Sequence, residues 1–235
     1  EGDWSALVGG TKNFIAGFAN SIVWWSDNIL RSDYSSIQGW AENSIHGAPY
    51  SSIVWGNANV MTWWAVMSFI GGGQANIIKD SSTSFIWGGA HNSIDSSDSS
   101  IIIGNEYNSI TNWGYEAILA WANNSITWWQ WANVLIWWVN RLTWSTYSYV
   151  LGNSNNLDMS FNNEVIGRDN SLLFSNSSTV LGRNNNAINQ TNQSVVIWDH
   201  NTIDNTSLSI VMGNSANLLG TQNTFFWNDG TIGLT

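Results

Sequence analysis

The most constraining feature of this sequence is a short internal repeat that runs through the whole chain. Each copy begins with a small residue, continues with two or three apolar residues and ends in a turn, as in SIVWG from Ser52 and SIIIGN from Ser100. Fifteen copies follow one another at spacings of 14 to 17 residues. Two short strands and two turns fit into that length, whereas a helix–turn–helix repeat does not.

The second half of each copy is built on the pattern Asn-x-apolar, and Gly and Asn fall between the two halves, where turns need positive φ. The sequence therefore predicts an all-β fold: a parallel β-solenoid (β-roll) of about 15 rungs, each rung being one 15–16-residue repeat with two short strands. We expect residues 1–235 to form a single solenoid domain that is a fragment of a longer surface protein.

Alternation within the second strand places the asparagine and the apolar residue two positions later on the same side, as with Asn92 and Ile94. The residue between them is often polar, as with Ser93, so the other side of this strand is expected to meet water. Stacked inward asparagines form an amide ladder that bonds each rung to its neighbours. We therefore predict a structural ladder of fourteen residues: Asn13, Asn28, Asn43, Asn59, Asn76, Asn92, Asn108, Asn124, Asn140, Asn155, Asn170, Asn186, Asn201 and Asn217.

In the first strand of each repeat, two neighbouring positions are apolar over much of the chain. The predicted core position, with Gln38 as an exception, holds Leu7, Val23, Val54, Ile70, Ile86, Ile102, Leu119, Leu135, Val150 and, in the last repeat, Phe225. The predicted outward position holds Ile22, Ile37, Ile53, Phe69, Phe85, Ile101, Ile118, Val134 and Tyr149.

An outward apolar stripe of this length exceeds what soluble monomers usually expose. Identical copies can bury such a stripe in a symmetric, closed interface, so we predict that these nine residues form a homo-oligomer interface. Beyond Glu164 the outward position becomes mixed, and the contact is expected to loosen there. The alternative is that both apolar positions are buried inside a broad coil.

Tryptophan and glycine replace each other in the turns. The position that closes the first strand is Gly in some repeats and Trp in others, namely Trp24, Trp55, Trp87, Trp137, Trp198 and Trp227. The turn after the second strand likewise holds Gly17 and Gly47 in some repeats, and Trp63, Trp128 and Trp144 in others. Glycine suits positive φ and close approach because it lacks a Cβ, and Trp has neither property.

We hypothesise that most of the 18 tryptophans are glycine in the native organism. Such a pattern would arise if the gene comes from an organism that reads UGA as glycine and was translated with a code in which UGA means tryptophan. The competing interpretation is a row of exposed aromatic platforms that stack on sugar rings.

With glycine restored, the pattern S-[IV]-[VI]-G-G-x-x-N-x-I resembles the head repeats of trimeric autotransporter adhesins and related repeats of phage tail fibres. The resemblance extends from Ser5 to Ile232 and involves no active-site residues. It implies a left-handed β-roll, a homotrimer and a role in attachment to host cells, matrix or other surfaces. The period of 15–16 residues is longer than that of the family's head repeat.

Charge and composition exclude several classes of function. Sixteen acidic and six basic residues give a formal charge of −10, which argues against a nucleic-acid partner because phosphate binding needs Lys and Arg. The absence of cysteine excludes thiolate metal sites and a cysteine nucleophile. The sequence contains no run of 18 apolar residues, so it predicts no membrane span. The chain is expected to be extracellular, at the cell surface, with its export signal and anchor outside this segment.

No group of residues predicts catalysis, a cofactor or a metal site. His91 and His200 occupy the same repeat position seven repeats apart, so they cannot share a ligand, and His46 is also isolated. Most acidic residues fall in turns, where Lys79 and Asp95 are predicted to form a weak pair between rungs. We therefore expect a non-enzymatic adhesin or fibre head that acts through many weak contacts to an unknown surface, glycan or matrix ligand.

Two other functions of solenoids stay open. Ice binding needs a flat, regular array of Thr, and the third position after the Asn holds Thr62, Thr111, Thr127 and Thr143. Charged residues such as Lys79 and Asp95 occupy the same position in other repeats and would interrupt that array. Glycan binding would use the aromatic side chains of the turns.

Overall fold

A computed structural model of the chain describes residues 4–111, 113–128, 132–188, 191–227 and 230–233. Within this part the secondary structure consists of thirty short strands without a helix. The fold is a parallel β-solenoid of about 14 turns with two short strands per repeat, as the sequence predicted. Contacts divide the chain into two compact units, residues 1–123 and 124–235, which we call unit 1 and unit 2.

Each repeat contributes one pair of strands to its unit. Unit 1 contains β1 (Ala6–Val8), β2 (Phe14–Ala16), β3 (Ser21–Val23), β4 (Ile29–Arg31), β5 (Ser36–Gln38), β6 (Ser44–His46), β7 (Ser52–Val54), β8 (Val60–Thr62), β9 (Phe69–Ile70), β10 (Ile77–Lys79), β11 (Phe85–Ile86), β12 (Ser93–Asp95), β13 (Ile101–Glu106), β14 (Ser109–Thr111) and β15 (Ala117–Ala122). Unit 2 contains β16 (Ser125–Thr127), β17 (Val134–Ile136), β18 (Arg141–Thr143), β19 (Tyr149–Asn153), β20 (Asn156–Asp158), β21 (Glu164–Arg168), β22 (Ser171–Leu173), β23 (Thr179–Arg183), β24 (Asn186–Ile188), β25 (Val195–Asp199), β26 (Thr202–Asp204), β27 (Ile210–Met212), β28 (Ala216–Leu219), β29 (Phe225–Trp227) and β30 (Gly230–Gly233).

Two parallel sheets run through each unit. Odd-numbered strands pair with one another to form the first sheet, and even-numbered strands pair to form the second sheet. Neighbouring strands are in register, so that equivalent residues of successive repeats lie side by side, as Ile86 beside Ile102 and Ile94 beside Ile110. Every position of the repeat therefore forms a stack along its sheet.

The core of each unit is narrow, because each strand sends only one large side chain inward. In the first sheet these fully buried residues are Ile22, Ile37, Ile53, Ile70, Ile86, Ile102 and Ile118 in unit 1, and Leu135, Val150, Val165, Val180, Val196 and Val211 in unit 2. In the second sheet they are Leu30, Ile45, Met61, Ile78, Ile94 and Ile110 in unit 1, and Ile126, Leu142, Leu157, Leu172, Ile203 and Leu218 in unit 2. Burial of each side chain contributes about 1.5–3 kcal/mol.

The predicted asparagine ladder is confirmed at most of its positions. The Oδ1 of Asn43 accepts hydrogen bonds from both the backbone N–H and the Nδ2 of Asn59, each at 3.1 Å. Its Nδ2 donates to the Oδ1 of Asn28 at 3.1 Å and to the carbonyl of Gly56 at 2.9 Å. Asn43 is fully buried, and the ladder satisfies all polar atoms of its side chain. Backbone N–H to Oδ1 bonds continue this ladder from Asn13 to Asn108 in unit 1 and from Asn124 to Asn201 in unit 2.

Two members of the predicted ladder are wrong by one residue. Asn185 takes the ladder position, where it is buried and bonds to Asn170 and Asn201, and Asn186 follows it as the first residue of β24. Near the end of unit 2, Ala216 takes the ladder position and its N–H donates to the Oδ1 of Asn201, whereas Asn217 lies on the outer side beside Thr202. Side chains alternate along a strand, so a shift of one residue moves a side chain to the opposite face.

A second polar ladder, which we did not predict, precedes the strands of the first sheet. It consists of buried polar residues, mostly Ser and Asn, and a side chain of one rung typically accepts the backbone N–H of the equivalent residue in the next, as Ser51 accepts from Ser68 at 3.0 Å. The Ser51 hydroxyl also donates to the carbonyl of Ala65 at 2.6 Å. The buried members are Asn20, Ser35, Ser51, Ser68, Ser84, Ser100 and Glu116 in unit 1, and Asn133, Ser148, Asn163, Ser178, Ser194 and Ser209 in unit 2.

The residue before each member of the asparagine ladder has positive φ although it is not glycine. Examples are Asp27, Glu42 and His91, with φ of 59°, 59° and 55°. Such a conformation is disfavoured for residues with a Cβ. Hydrogen bonds between rungs offset this cost, as when the N–H of Asp27 donates to the carbonyl of Thr11 at 3.1 Å.

The predicted outward stripe of the first sheet combines two different positions. Ile22, Ile37, Ile53 and Ile118 are fully buried, so the prediction that they face outward is wrong. Phe69, Phe85, Ile101, Val134 and Tyr149 lie on the outer face, as predicted. Val23, Val54, Leu119 and Phe225, which we assigned to the core, also lie at least partly exposed.

The cause of this error is an ambiguous alignment of small polar residues. Pairs such as Asn20-Ser21 and Ser51-Ser52 precede the apolar residues of the early repeats, and the first residue of each pair belongs to the second ladder. Aligning the second residue, Ser52, with Ser68 shifts the strand by one residue. The structure instead pairs Ser52 with Phe69.

Replacing Asn43 by alanine tests the amide ladder. The backbone N–H of Asn59 loses its acceptor, and we expect the free energy of unfolding to fall by about 2–4 kcal/mol. Urea denaturation followed by circular dichroism measures this change. Ser44→Ala, at the adjacent half-buried position, is the control and should change stability by less than about 0.5 kcal/mol. Equal losses in both variants would contradict the ladder's role.

A charge introduced on either side of the first sheet tests the corrected register. Ile53→Glu buries an unpaired carboxylate and is expected to prevent folding, because Ile53 is fully buried. Phe85→Glu places the same charge on the outer face and should preserve the β-sheet circular dichroism spectrum and a cooperative unfolding transition. The reverse result, a folded Ile53→Glu chain, would contradict the register described above.

Candidate functional site

In unit 2 the two sheets present chemically different outer faces. The outward residues of its second sheet are largely polar, with Leu173 and Leu219 as apolar exceptions; the polar ones include Thr127, Arg141, Thr143, Asn156, Asp158, Ser171 and Thr202. In unit 1 the outer face of the second sheet is mixed: polar residues such as Arg31, His46, Thr62, Lys79, Asp95 and Thr111 share it with Phe14, Ile29, Val60 and Ile77. In unit 1, Thr62 lies between His46 and Lys79, and Thr111 lies beside Asp95. Charges therefore interrupt the threonine positions, which argues against an ice-binding array.

The outer face of the first sheet is largely apolar in unit 2. At the first position of its strands lie Val134, Tyr149, Glu164, Thr179, Val195, Ile210 and Phe225. At the third position lie Ile136, Leu151, Ile166, Leu181, Ile197, Met212 and Trp227. The first position becomes mixed from Glu164 onward, as predicted, but the third position stays apolar throughout. We call these two rows together the apolar face of unit 2.

Unit 1 has an aromatic cluster on the same sheet. The rings of Phe69 and Phe85 stack with centroids 5.1 Å apart, and the ring of Trp87 lies 5.8 Å from that of Phe85. Trp87 is 59% exposed, and Ile101 and Ile103 continue the patch in the next rung. A patch of large exposed apolar side chains is typical of an interaction surface.

Charged side chains form pairs between rungs, chiefly at the edges of the sheets. The predicted pair of Lys79 and Asp95 is confirmed, with Nζ and Oδ2 3.2 Å apart, and the hydrogen bond with Asp95 raises the pKa of Lys79. Arg183 forms a closer pair with Asp199, whose Oδ2 lies 2.6 Å from a guanidinium nitrogen. That hydrogen bond lowers the pKa of Asp199. The two cations are about half exposed and water reaches both pairs, so each pair contributes little to stability.

The three histidines lie in different surroundings. His46 contacts the ring of Trp63 edge-on, His91 stacks on Tyr107, and His200 lies 3.2 Å from the Nδ2 of Asn184. Among the described residues, no group of three or more His, Asp or Glu side chains could hold a metal ion. The described residues also include no helix that is long and apolar enough to cross a membrane.

Several tryptophans occupy conformations that favour glycine. Trp198 has φ of 81° and pairs in register with Gly182, where a Cβ would collide with the carbonyl of Trp198. Positive φ is found at ten described tryptophans: Trp4, Trp24, Trp25, Trp55, Trp63, Trp64, Trp128, Trp137, Trp144 and Trp198. Trp87 and Trp227, predicted at the same turn position, instead align with outward strand residues. The hypothesis that these tryptophans are misread glycine codons stays a prediction. It would account for the positive φ of the ten tryptophans named above.

Exposed aromatic rings stack on one another between rungs. Tyr34 and Tyr50 are nearly parallel at 4.9 Å, and Trp128 and Trp144 are nearly parallel at 5.2 Å. Each ring of such a pair therefore has one face covered by its partner, which reduces the area that a ligand could stack on. Near the start of unit 1, however, Trp24, Trp40, Trp55 and Gln38 line an open groove of about 310 Å³.

No protein-family model matches the chain, and a search of curated proteins finds no significant match.

Replacing Trp55 by glycine tests whether this turn is strained. Trp55 has φ of 66° and its side chain is 63% exposed, so its removal relieves backbone strain at the loss of few contacts. We expect the free energy of unfolding to rise by about 1 kcal/mol. Trp87→Gly is the matched control and should lower stability, because Trp87 lacks positive φ and packs on Phe85. Thermal denaturation of both variants measures the difference; a destabilised Trp55→Gly chain would contradict the interpretation.

Proposed function

We propose that this chain is a non-enzymatic attachment domain of an extracellular, cell-surface adhesin or fibre. In this proposal it self-associates through the apolar outer face of the first sheet and presents the polar face and the turns to a surface, glycan or matrix ligand. The observation that carries the proposal is the chemical difference between the two outer faces of unit 2. An apolar face suits burial against identical copies, and a polar face suits contact with water and ligand.

The repetition within each unit supports attachment by many weak contacts. Equivalent residues of successive rungs stack in register at the spacing of parallel strands, about 4.8 Å. A side chain or turn that contacts a ligand weakly is therefore followed by similar ones within a few ångströms. Linked weak contacts can exceed the strength of a single contact by about 10²–10⁴-fold. The resemblance to trimeric autotransporter heads suggests three copies in the assembly.

Glycan binding is a second candidate, favoured by the groove near the start of unit 1. Trp24, Trp40 and Trp55 border that groove, and Gln38 contributes an amide that can bond to a hydroxyl group. This candidate requires the tryptophans to be native. If they are glycine in the native protein, the groove has no aromatic walls and the candidate fails.

Adhesion of coated beads tests the attachment function. We expect beads that carry the chain at high density to adhere to at least one of collagen, fibronectin, laminin or mucin coatings. The soluble chain should compete only at a concentration about 100-fold above that of the bead-bound chain. Beads that carry the Ile53→Glu chain control for adhesion of unfolded protein. No adhesion above that control on any coating would contradict the proposal.

A further inference from the structure

The apolar face of unit 2 carries charges of opposite sign at its two edges. Along β21, the side chains of Glu164, Ile166 and Arg168 alternate onto the outer face, so an acid and a base flank one aliphatic residue. The Cα atoms of Glu164 and Arg168 are about 13 Å apart at the usual rise per strand residue. Both charged side chains are exposed.

The edge that contains Glu164 carries no positive charge. Among the described strands of unit 2, the first outward positions of the first sheet are Val134, Tyr149, Glu164, Thr179, Val195, Ile210 and Phe225. Glu164 forms no ion pair with any residue that the structure describes. A carboxylate on an otherwise uncharged edge would be costly to bury unless the covering surface supplied a cation.

The opposite edge supplies such cations. It consists of Asn153, Arg168, Arg183 and Asp199 in successive rungs. Arg183 already forms a close pair with Asp199. Among the described residues, Arg168 forms an ion pair with the neighbouring Asp169 through its Nε, at 3.2 Å, and the terminal nitrogens of its guanidinium are in no ion pair and can serve another acceptor.

A groove lies at this edge and fits an acidic side chain. It has a volume of about 360 Å³, and the side chains of Trp137, Leu151, Asn153, Ile166, Arg168 and Arg183 line it. The aliphatic residues suit the methylene groups of a glutamate, and the guanidinium groups suit its carboxylate.

We propose that a second copy of this chain packs on the apolar face of unit 2 with its rungs stacked in the same direction and at the same level. In this arrangement Glu164 of each copy enters the groove of the other and pairs with Arg168. The inference rests on the proposed self-association, and it adds the direction and the level at which the copies meet.

Symmetry explains why the charges select this arrangement. When two faces meet with parallel stacking directions, a rotation axis parallel to that direction places the Glu164 edge of one copy against the Arg168 edge of the other. With opposite stacking directions, like edges meet, and no Lys or Arg of the described Glu164 edge can pair with Glu164. A twofold or a threefold axis gives the same contact, so the inference does not depend on the number of copies.

A charge swap tests the proposed pair. Sedimentation equilibrium of the whole chain is measured for the wild type, Glu164→Arg, Arg168→Glu and the double variant. We expect each single variant to raise the dissociation constant at least about tenfold, because like charges then meet across the interface. The double variant should return to within about threefold of the wild type. Asp204→Arg, which makes the same charge change on the outer face of the second sheet, should leave the dissociation constant unchanged.

Cross-linking tests the direction independently. The chain has no cysteine, so single cysteines can be introduced without background. Co-expressed Glu164→Cys and Arg168→Cys chains should form a disulfide with each other under mild oxidation, and Glu164→Cys chains alone should not. A disulfide between two Glu164→Cys chains would overturn the parallel arrangement.

The outcomes separate this inference from the proposed function. If the wild type is a monomer at all concentrations, self-association fails and this inference fails with it. If Ile166→Glu dissociates the assembly but Glu164→Arg does not, self-association stands and the ion pair is overturned. Failure of the double variant to recover would also overturn the direct pairing.

Discussion

The rest of this structure depends on the amide ladder that joins one rung to the next. Strands of about three residues make few backbone hydrogen bonds, so strand pairing alone gives a weak preference for any register. The Oδ1 of Asn43 accepts two hydrogen bonds from Asn59, and a shift of either strand by one residue would break both. It would also replace an inward isoleucine by an outward residue. The ladder therefore fixes the register and the identity of the core together.

The ladder also explains why the repeats can vary in length. Successive ladder residues are 15, 16 or 17 positions apart, as from Asn28 to Asn43, from Asn43 to Asn59 and from Asn59 to Asn76. The extra residues lie in the turns, because the ladder and the two inward apolar residues must keep their places. The turn that varies is the one after the second strand, since Leu30 lies 7 positions before Ile37, Ile45 lies 8 before Ile53 and Met61 lies 9 before Ile70. The turn before the ladder is constant in these repeats, because Ile37, Ile53 and Ile70 each lie 6 positions before the next ladder asparagine.

Much of this architecture could be predicted from the sequence, because it follows from residue types that recur with a fixed spacing. The asparagines and the apolar residues two positions later specify the second sheet, and the structure confirms this pattern except at Asn186 and Asn217. The first strand was less certain, because adjacent small polar residues such as Ser51 and Ser52 permit two alignments that differ by one residue. The run Asn184–Asn186 created the same ambiguity in the ladder. Within a run of similar residues, the sequence does not show which one takes the inward ladder position. The hydrogen bonds of the folded chain identify that residue.

The positive φ before each ladder residue could not be predicted for a different reason. Sequence analysis recognises this conformation by glycine, and these positions hold residues such as Asp27, Glu42 and His91. The conformation is imposed by the turn and stabilised by bonds between rungs, so the local sequence need not favour it. Positive φ at a tryptophan is therefore not by itself evidence that the native residue is glycine, because many other non-glycine residues of this fold have positive φ. The stronger argument is the direct pairing of Trp198 with Gly182, because the two residues share a position and differ most in size.

The uniform interior leaves the outer positions as the place where rungs can differ in function. Inward positions repeat the same few residue types, since each must bond to or pack on its equivalent in the next rung. Outward positions carry no such constraint, and there the rungs differ in charge, as Glu164 and Arg168 differ from Tyr149 and Asn153 one rung earlier. A change on the outer face costs the fold little and alters what the face can bind. A solenoid of this kind can therefore acquire a new partner through single outward substitutions while its ladders keep the fold.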